Sequence, residues 1–283
     1  MRYLCSFSLL AIALLQAQAA QDSATEIPLE FREGLIWIKA AISPSAKPLN
    51  LLLDTGAGAS VINRSAADRL GLKLGSAITV RGVATTLTGY KLKDVSVHAG
   101  AAVLPADYIA VDLGKLSGSC QQPVDGLLGA DFFRGRAVQL DFQEQKLRIL
   151  EPDQVPTSGE ILPLQLRPCG MRVPITVNGQ KRQWVRLDTG CASALQWVTS
   201  RVRSQDCNPK VAIGLAEVSI PQTETTVAIG QQKFADVPTG LHEKPIFQGE
   251  AGLLGNGLLF RFSSITIDAK SGRLILEPRP TVP

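Results

Sequence analysis

Residues 51–62 read LLLDTGAGASVI, an apolar run that leads into the tripeptide Asp54-Thr55-Gly56. The same tripeptide returns at Asp188-Thr189-Gly190, again directly after an apolar run. With ordinary residue usage, a given three-residue string is expected in roughly a tenth of chains of this length. Chance is therefore a poor explanation for two copies, and the pattern indicates a repeated unit that carries two aspartates in equivalent surroundings.

The sequence around the two tripeptides repeats as well. DGLLG at 125–129 matches AGLLG at 251–255, and KLRILEP at 146–152 matches RLILEP at 273–278. The copies are offset by 134 positions at the aspartates and by about 126 or 127 further along, so they differ by one loop. A period this long predicts two paired domains, because solenoid repeats are much shorter.

We divide the chain on this basis into four parts. Residues 1–20 are predicted to be a signal peptide, because Arg2 precedes an apolar run too short to span a bilayer and Ala17-Gln18-Ala19 offers small residues for cleavage. The predicted lobes are residues 21–152 and 160–283, joined by a linker at 153–159. We expect export to the periplasm or the medium without stable membrane insertion; an uncleaved anchor is the alternative.

Four cysteines remain once the signal peptide is removed. They are Cys120, Cys169, Cys191 and Cys207. An even number in an exported chain favours two disulfides, and three pairings are possible. Cys191 with Cys207 and Cys120 with Cys169 is the preferred pairing, because the first two are close in sequence. Zinc is disfavoured, since there is no Cys-x-x-Cys motif and the chain has 2 histidines.

Composition excludes several classes of protein. The chain has 283 residues, 45% of them apolar, which is enough for two packed cores. The formal net charge is +4, and the basic residues are scattered among acids without the basic stripe expected of a nucleic-acid binder. We expect no nucleic-acid partner, no cofactor and no metal.

Short strand-like runs bounded by Gly, Pro, Asn and Asp dominate the sequence. Helical signal is confined to residues 65–70, closed by Gly71, and to short turns at 131–134 and near 197–203. The sequence therefore predicts an all-β protein with few short helices. The predicted strands are 35–40, 49–53, 91–98, 138–142, 147–150, 172–177, 183–187, 217–220, 265–267 and 274–276.

Two aspartates at the ends of buried strands suggest a paired site. Two carboxyl groups within hydrogen-bond distance cannot both ionise cheaply, so one keeps its proton. The charged member can take a proton from a water that attacks a carbonyl carbon, while the protonated member donates to the carbonyl oxygen. Gly56 and Gly190 allow tight turns, and Thr55 and Thr189 offer hydroxyls to the opposite loop or nearby backbone.

The segment 51–62 resembles the catalytic loop of bacterial, exported retropepsin-like aspartic proteases of clan AA, and residues 125–129 are similar to the strand beneath it. The resemblance covers residues 26–278. It implies a two-lobed pepsin/retropepsin-like acid protease fold from an internal duplication, with a peptide or protein substrate across the cleft and a monomer that is complete. It also implies that Asp54 and Asp188 are catalytic, supported by Thr55, Gly56, Thr189 and Gly190.

Proteins of this family close the cleft with β-hairpin flaps. By position the candidates are residues 81–92, where Tyr90 is a candidate substrate contact, and residues 213–222. A surface hairpin without a catalytic role is an equal alternative for both, and Tyr90 is equally well explained as a packed aromatic.

The second copy departs from the family pattern at two positions. Cys191 stands where Ser or Ala is more usual, and Ala251 replaces the acid that Asp125 provides in the first copy. A catalytic thiolate or a Ser-His-Asp site using Ser60 or Ser193 is disfavoured, because histidines are nearly absent.

Two broader alternatives stay open from the sequence. One is an exported module that keeps the fold and binds peptides without cleaving them. The other is a working dimer in which each lobe pairs with its counterpart in a second chain.

Overall fold

The computed structural model describes residues 24–42, 47–82, 85–105, 107–168, 170–199, 210–213 and 216–280. The predicted signal peptide at 1–20 therefore lies outside the described residues, as do Cys169 and Cys207. No helix among the described residues is long and apolar enough to cross a membrane.

Strands make up most of the described chain. Those of the first half are β1 (Thr25–Arg32), β2 (Leu35–Ile42), β3 (Leu49–Leu53), β4 (Val61–Asn63), β5 (Ala77–Gly82), β6 (Thr85–Leu92), β7 (Val97–Ala99), β8 (Ala102–Val103), β9 (Tyr108–Val111), β10 (Gly126–Leu128), β11 (Ala137–Asp141) and β12 (Lys146–Leu150). Those of the second half are β13 (Glu160–Pro163), β14 (Gln165–Arg167), β15 (Gly170–Val177), β16 (Gln183–Asp188), β17 (Leu195–Val198), β18 (Lys210–Ile213), β19 (Ala216–Ser219), β20 (Gln222–Ile229), β21 (Gln232–His242), β22 (Gly252–Gly255), β23 (Phe262–Asp268) and β24 (Arg273–Pro278).

The described helices are short. They are α1 (Arg64–Arg69), α2 (Gly114–Ser119), α3 (Asn256–Leu259) and a 3-10 helix at Ala130–Phe133. The all-β prediction is confirmed, and so is the predicted helix at 65–70, which begins after the N-cap Asn63.

Two local predictions were wrong. The segment 91–98 is not one strand, because Asp94 takes a left-handed conformation with φ of 56° between β6 and β7. The turn predicted near 197–203 begins in a strand, since Trp197 lies in β17; residues 200–203 lie outside the described part of the chain.

The same three-strand arrangement supports each Asp-Thr-Gly loop. In the first half β3 runs parallel to β10, and β4 pairs antiparallel on the other side of β10. In the second half β16 runs parallel to β22, with β17 antiparallel on its far side. Strands covered on both faces read as continuous apolar runs, as Leu51 to Leu53 do. Each aspartate therefore lies at the end of a strand held centrally in its sheet.

A sheet shared by the two halves joins them. Strand β11 pairs antiparallel with β23, and Gln139 lies opposite Thr266 in that pairing. These two positions are equivalent under the 127-residue offset of the sequence repeat. Val138 opposite Ile267 and Leu140 opposite Ile265 complete the symmetric register, and all four side chains are fully buried. Both halves therefore contribute to one apolar core at this junction.

The disulfides predicted for Cys120 and Cys191 are not found in the described part of the chain, where both side chains are free, buried thiols. The Cys191 thiol instead contacts the Ser193 hydroxyl at 3.0 Å, underneath the second Asp-Thr-Gly loop. Closeness in sequence was a poor guide here, because the loop directs the Cys191 side chain into the protein interior.

Candidate active site

The two Asp-Thr-Gly loops are joined by reciprocal hydrogen bonds through their threonines. The Thr55 backbone N–H donates to Thr189 Oγ1 and the Thr189 N–H donates to Thr55 Oγ1, each at 3.0 Å. The Thr55 hydroxyl donates to the Leu187 carbonyl at 2.7 Å, and the Thr189 hydroxyl donates to the Leu53 carbonyl at 2.9 Å. Both threonines are completely buried. This closed set of four bonds fixes the two loops against each other.

We expect Thr55→Val or Thr189→Val to lower the free energy of unfolding by about 2–4 kcal/mol, because each change leaves a buried N–H and a buried carbonyl without a partner. Chemical denaturation measures the loss. Thr266→Val is the matched control, since Thr266 Oγ1 is buried without a hydrogen-bond partner and its removal should cost nothing. Equal effects of all three substitutions would contradict the role of the threonine bonds.

The threonine bonds bring Asp54 and Asp188 together. Each carboxyl group lies against the glycine of the opposite loop, close enough for each to shift the pKa of the other. Asp54 Oδ1 also accepts from the N–H groups of Gly56 and Ala57 at 3.0 Å, whereas Asp188 Oδ1 accepts from Gly190 N–H at 3.0 Å. A backbone N–H stabilises a charged carboxylate, so the extra donor favours ionisation of Asp54.

The glycines of the two loops make this contact possible. A Cβ added to Gly56 would lie 2.6 Å from the Asp188 carboxyl carbon, and one added to Gly190 would lie 2.5 Å from that of Asp54. Each loop glycine is thus packed against the carboxyl group of the opposite loop. The four supporting residues predicted from the sequence all contact the aspartates or the opposite loop.

Burial and mutual repulsion shift the two carboxyl groups in the same direction. Burial raises the pKa of Asp188 to about 8, with a further contribution from the Asp54 charge. Burial also raises the pKa of Asp54, while the Ala57 and Gly56 N–H groups and the Arg186 charge oppose that rise. The interaction between the two carboxyls lowers the pKa of Asp54 and raises that of Asp188. Of the two carboxyl groups, Asp54 is therefore the one that ionises first, and Asp188 keeps its proton to higher pH.

The aspartates open into a cleft between the two halves. A cavity of about 450 Å³ lies over them. On the first-half side its wall is mainly apolar, whereas the second half contributes Arg186 and Phe247. The apolar lining consists of Leu52, Val61, Val80, Ile109, Val111, Leu113, Leu116 and Leu127. The site can therefore accept a bulky apolar group next to the carboxyl pair.

The predicted flap at 81–92 falls on the hairpin of β5 and β6. Val80, Arg81 and Gly82 line the cavity, so the end of β5 borders the cleft. Tyr90 lies further from the tip: its half-buried ring packs on the core, and the Arg64 guanidinium lies 4.9 Å from the ring centre. The cavity-lining residues of this hairpin do not include Tyr90. In the second candidate flap, β18 and β19 form a two-stranded hairpin.

The serine and cysteine side chains that could serve as nucleophiles in other kinds of hydrolase are hydrogen-bonded within the protein. Ser60 Oγ donates to Asp131 at 2.7 Å, and Ser193 Oγ accepts from Gln196 at 2.8 Å. Burial raises the pKa of the Cys191 thiol to about 12, so it stays protonated at neutral pH. His242 contacts Gln196 at 2.7 Å. Among the described residues, no three His, Cys, Asp or Glu side chains are grouped to hold a metal ion.

Sequence reasoning missed the charged pair beside the aspartates. Arg186 is 3% exposed, and its Nε and Nη2 donate to the two carboxylate oxygens of Glu250 at 2.8 and 2.9 Å. One signal was available: Arg186 precedes Asp188 by two positions in a strand, so both side chains project from the same face.

Comparison with known proteins gives one family. Residues 38–132 match the family model described as aspartyl protease. This segment includes the Asp54 loop and the strand at 126–128, while the Asp188 loop lies outside it. No curated protein matches the chain.

Proposed function

We propose, from the match of residues 38–132 to the aspartyl protease family model and from the geometry of the two loops, that the chain is an aspartic endopeptidase in which Asp54 and Asp188 activate a water to hydrolyse a peptide bond. The observation that carries the proposal is the contact between the two carboxyl groups, fixed by the reciprocal threonine bonds at the base of a cleft. Family membership alone suggests a hydrolase; the paired carboxyls are what support this chemistry.

The two carboxyl groups have different proposed roles because their surroundings differ. Asp54 accepts two backbone N–H bonds and serves as the general base that takes a proton from the attacking water. Asp188 holds the proton and donates it to the oxygen of the scissile carbonyl. After attack, Asp54 carries the proton that it can pass to the leaving nitrogen. General acid–base catalysis of this kind typically contributes about 10²–10⁴-fold to a rate.

We propose a peptide or unstructured protein segment as substrate. An extended chain lying in the cleft can place an apolar side chain in the cavity on the Asp54 side. The end of β5 borders this cavity, which supports a covering role for the β5–β6 hairpin over the bound segment. Both carboxyls come from one chain, so we also propose that the monomer is the working species, exported after loss of residues 1–20.

The function is tested by incubating the purified mature protein with an unstructured protein from mildly acidic to neutral pH and analysing the fragments by mass spectrometry. We expect cleavage by the wild type and none by Asp54→Ala or Asp188→Ala. Fragments that persist in both variants would identify a contaminating protease. A wild-type protein that binds the same substrate without cutting it would instead support the non-cleaving module. Sedimentation under assay conditions separates monomer from dimer.

A further inference from the structure

The ion pair of Arg186 and Glu250 is replaced by an apolar pair in the first half of the chain. Under the offsets of the sequence repeat, the equivalent positions are Leu52 and Val124. Leu52 is 2% exposed and Val124 is fully buried, and both belong to one apolar cluster. The same place in the fold is thus filled by two aliphatic side chains in one half and by two buried charges in the other.

Strand register supports this equivalence. Leu52 lies opposite Leu127 in the parallel pair of β3 and β10, and Arg186 lies opposite Leu253 in the parallel pair of β16 and β22. Replacing a buried ion pair by apolar residues of similar volume is often neutral or stabilising. The first half shows that the arrangement accommodates the apolar solution, so stability alone does not explain the charged pair.

Arg186 reaches from the second half to the first catalytic loop. Its Nη1 donates to the Gly56 carbonyl at 2.8 Å, and the N–H of the same glycine donates to Asp54 Oδ1 at 3.0 Å. The guanidinium also lies 3.5 Å from the centre of the Phe247 ring, which lines the cleft. Arg186 is therefore linked to the Asp54 carboxylate through Gly56, whose carbonyl it binds.

The charge of this group is opposite to that of the aspartate pair. Arg172 lies directly across from Arg186 on β15 and donates to Glu250 Oε1 at 2.8 Å, so two arginines share one carboxylate and leave one net positive charge. The aspartate pair with one proton carries one negative charge. Arg186 lowers the pKa of both Asp54 and Asp188 through its charge, which acts strongly because the site is buried.

The other ionisable groups near the aspartate pair are either neutral or exposed. Cys191, on the second loop, is a neutral thiol whose pKa is raised by burial and by the nearby Asp188 charge. Arg81 on β5 and Arg134 after the 3-10 helix are exposed and line the outer part of the cavity. Arg186 is the buried cation in direct contact with a catalytic loop.

We propose that Arg186 is a positioning residue for the aspartate pair, which fixes the first loop through the Gly56 carbonyl and sets the pH range in which the pair holds a single proton. Glu250 keeps this arginine buried at the base of the cleft. The inference rests on the proposed function, but its test does not depend on cleavage.

The test uses the double variant Arg186→Leu/Glu250→Val, which gives the second half the residue types found at the equivalent positions, Leu52 and Val124, of the first half. We expect a folded protein in which both limbs of the pH profile of kcat/KM move upward by about one pH unit or more. Arg172 keeps the net charge of the group at +1, but the cation in direct contact with the Asp54 loop, which favours the ionised carboxylates, is gone. Arg186→Lys should keep the limbs in place and lower kcat, since an ammonium cannot hold both Glu250 and the Gly56 carbonyl in the same fork. Arg172→Leu is the matched control, because Arg172 shares Glu250 without reaching either loop.

A titration of the aspartate carboxyl carbons by NMR, assigned with Asp54→Asn and Asp188→Asn, provides the readout that needs no substrate. The double variant should titrate at higher pH than the wild type, even if neither protein cleaves anything. Unchanged titration in the double variant would overturn the proposal. So would an equal shift in Arg172→Leu, which would indicate a general effect of charge. Absence of cleavage with the expected titration would overturn only the proposed function.

Discussion

Replacing Asp188 with Asn should abolish cleavage and, at neutral pH, make the folded protein more stable. The amide has nearly the shape of the protonated acid but cannot transfer a proton to the substrate, so we expect kcat/KM to fall by about 10³-fold or more. Stability should rise because the wild-type carboxyl is buried against Asp54 and keeps its proton to about pH 8.

The sign of this effect follows from the raised pKa. Between about pH 4 and pH 8 the unfolded chain releases the Asp188 proton while the folded chain retains it. The unfolded state therefore binds fewer protons, and the free energy of unfolding of the wild type falls as pH rises through this range. Asp188→Asn has no such pH-dependent decrease in its free energy of unfolding. At neutral pH it should therefore be more stable than the wild type by on the order of 4 kcal/mol.

Urea denaturation of both proteins at several pH values measures this difference. The curves should converge below about pH 4, where the wild-type carboxyl is protonated in both the folded and the unfolded state. Asp153→Asn, which alters an exposed carboxylate, is the control and should change neither activity nor stability. Parallel pH dependence of wild type and Asp188→Asn would show that Asp188 does not keep its proton in the folded state.

Gly190→Ala should nearly eliminate activity without removing any catalytic group. The new Cβ would lie 2.5 Å from the Asp54 carboxyl carbon, so the two loops must move apart. A displacement on the order of 1 Å between reacting groups can cost about 10²-fold in rate. We therefore expect kcat/KM to drop at least this far, together with a loss of stability of about 1–3 kcal/mol from overpacking.

Gly118→Ala is the matched control for this substitution. Gly118 lies exposed in α2, and an added Cβ would meet no atom within 4 Å. Alanine is the better helix former, so stability should be unchanged or improved by up to about 1 kcal/mol, with full activity. Wild-type kcat/KM in Gly190→Ala would contradict the close packing of that loop on Asp54.

The repeated Asp-Thr-Gly loops and the all-β fold could be predicted because their signals are local. An apolar run followed by a turn tripeptide specifies a buried strand and the loop after it. The contact between the two loops could be predicted because a repeated loop of this kind suggests two copies that face each other. The structure adds which hydroxyl meets which carbonyl, and it gives Asp54 one more backbone donor than Asp188.

The features that were missed depend on contacts between distant segments. Arg186 and Glu250 are 64 positions apart, and in sequence each reads as an ordinary surface charge. The pairing of cysteines was predicted from closeness along the chain, whereas the direction of the Cys191 side chain decides its partner. The break at Asp94 is a single left-handed residue in an alternating pattern that otherwise favours one strand.

The β11–β23 pairing has a consequence for how the molecule can move. Main-chain hydrogen bonds join the two halves along five residues of each strand. The halves therefore cannot rotate apart without breaking the hydrogen bonds between β11 and β23. Under the proposed function, a polypeptide would then enter by movement of the β5–β6 hairpin beside the cavity and not by separation of the two halves. Either half expressed alone would expose an unpaired, apolar edge strand, and such strands favour aggregation.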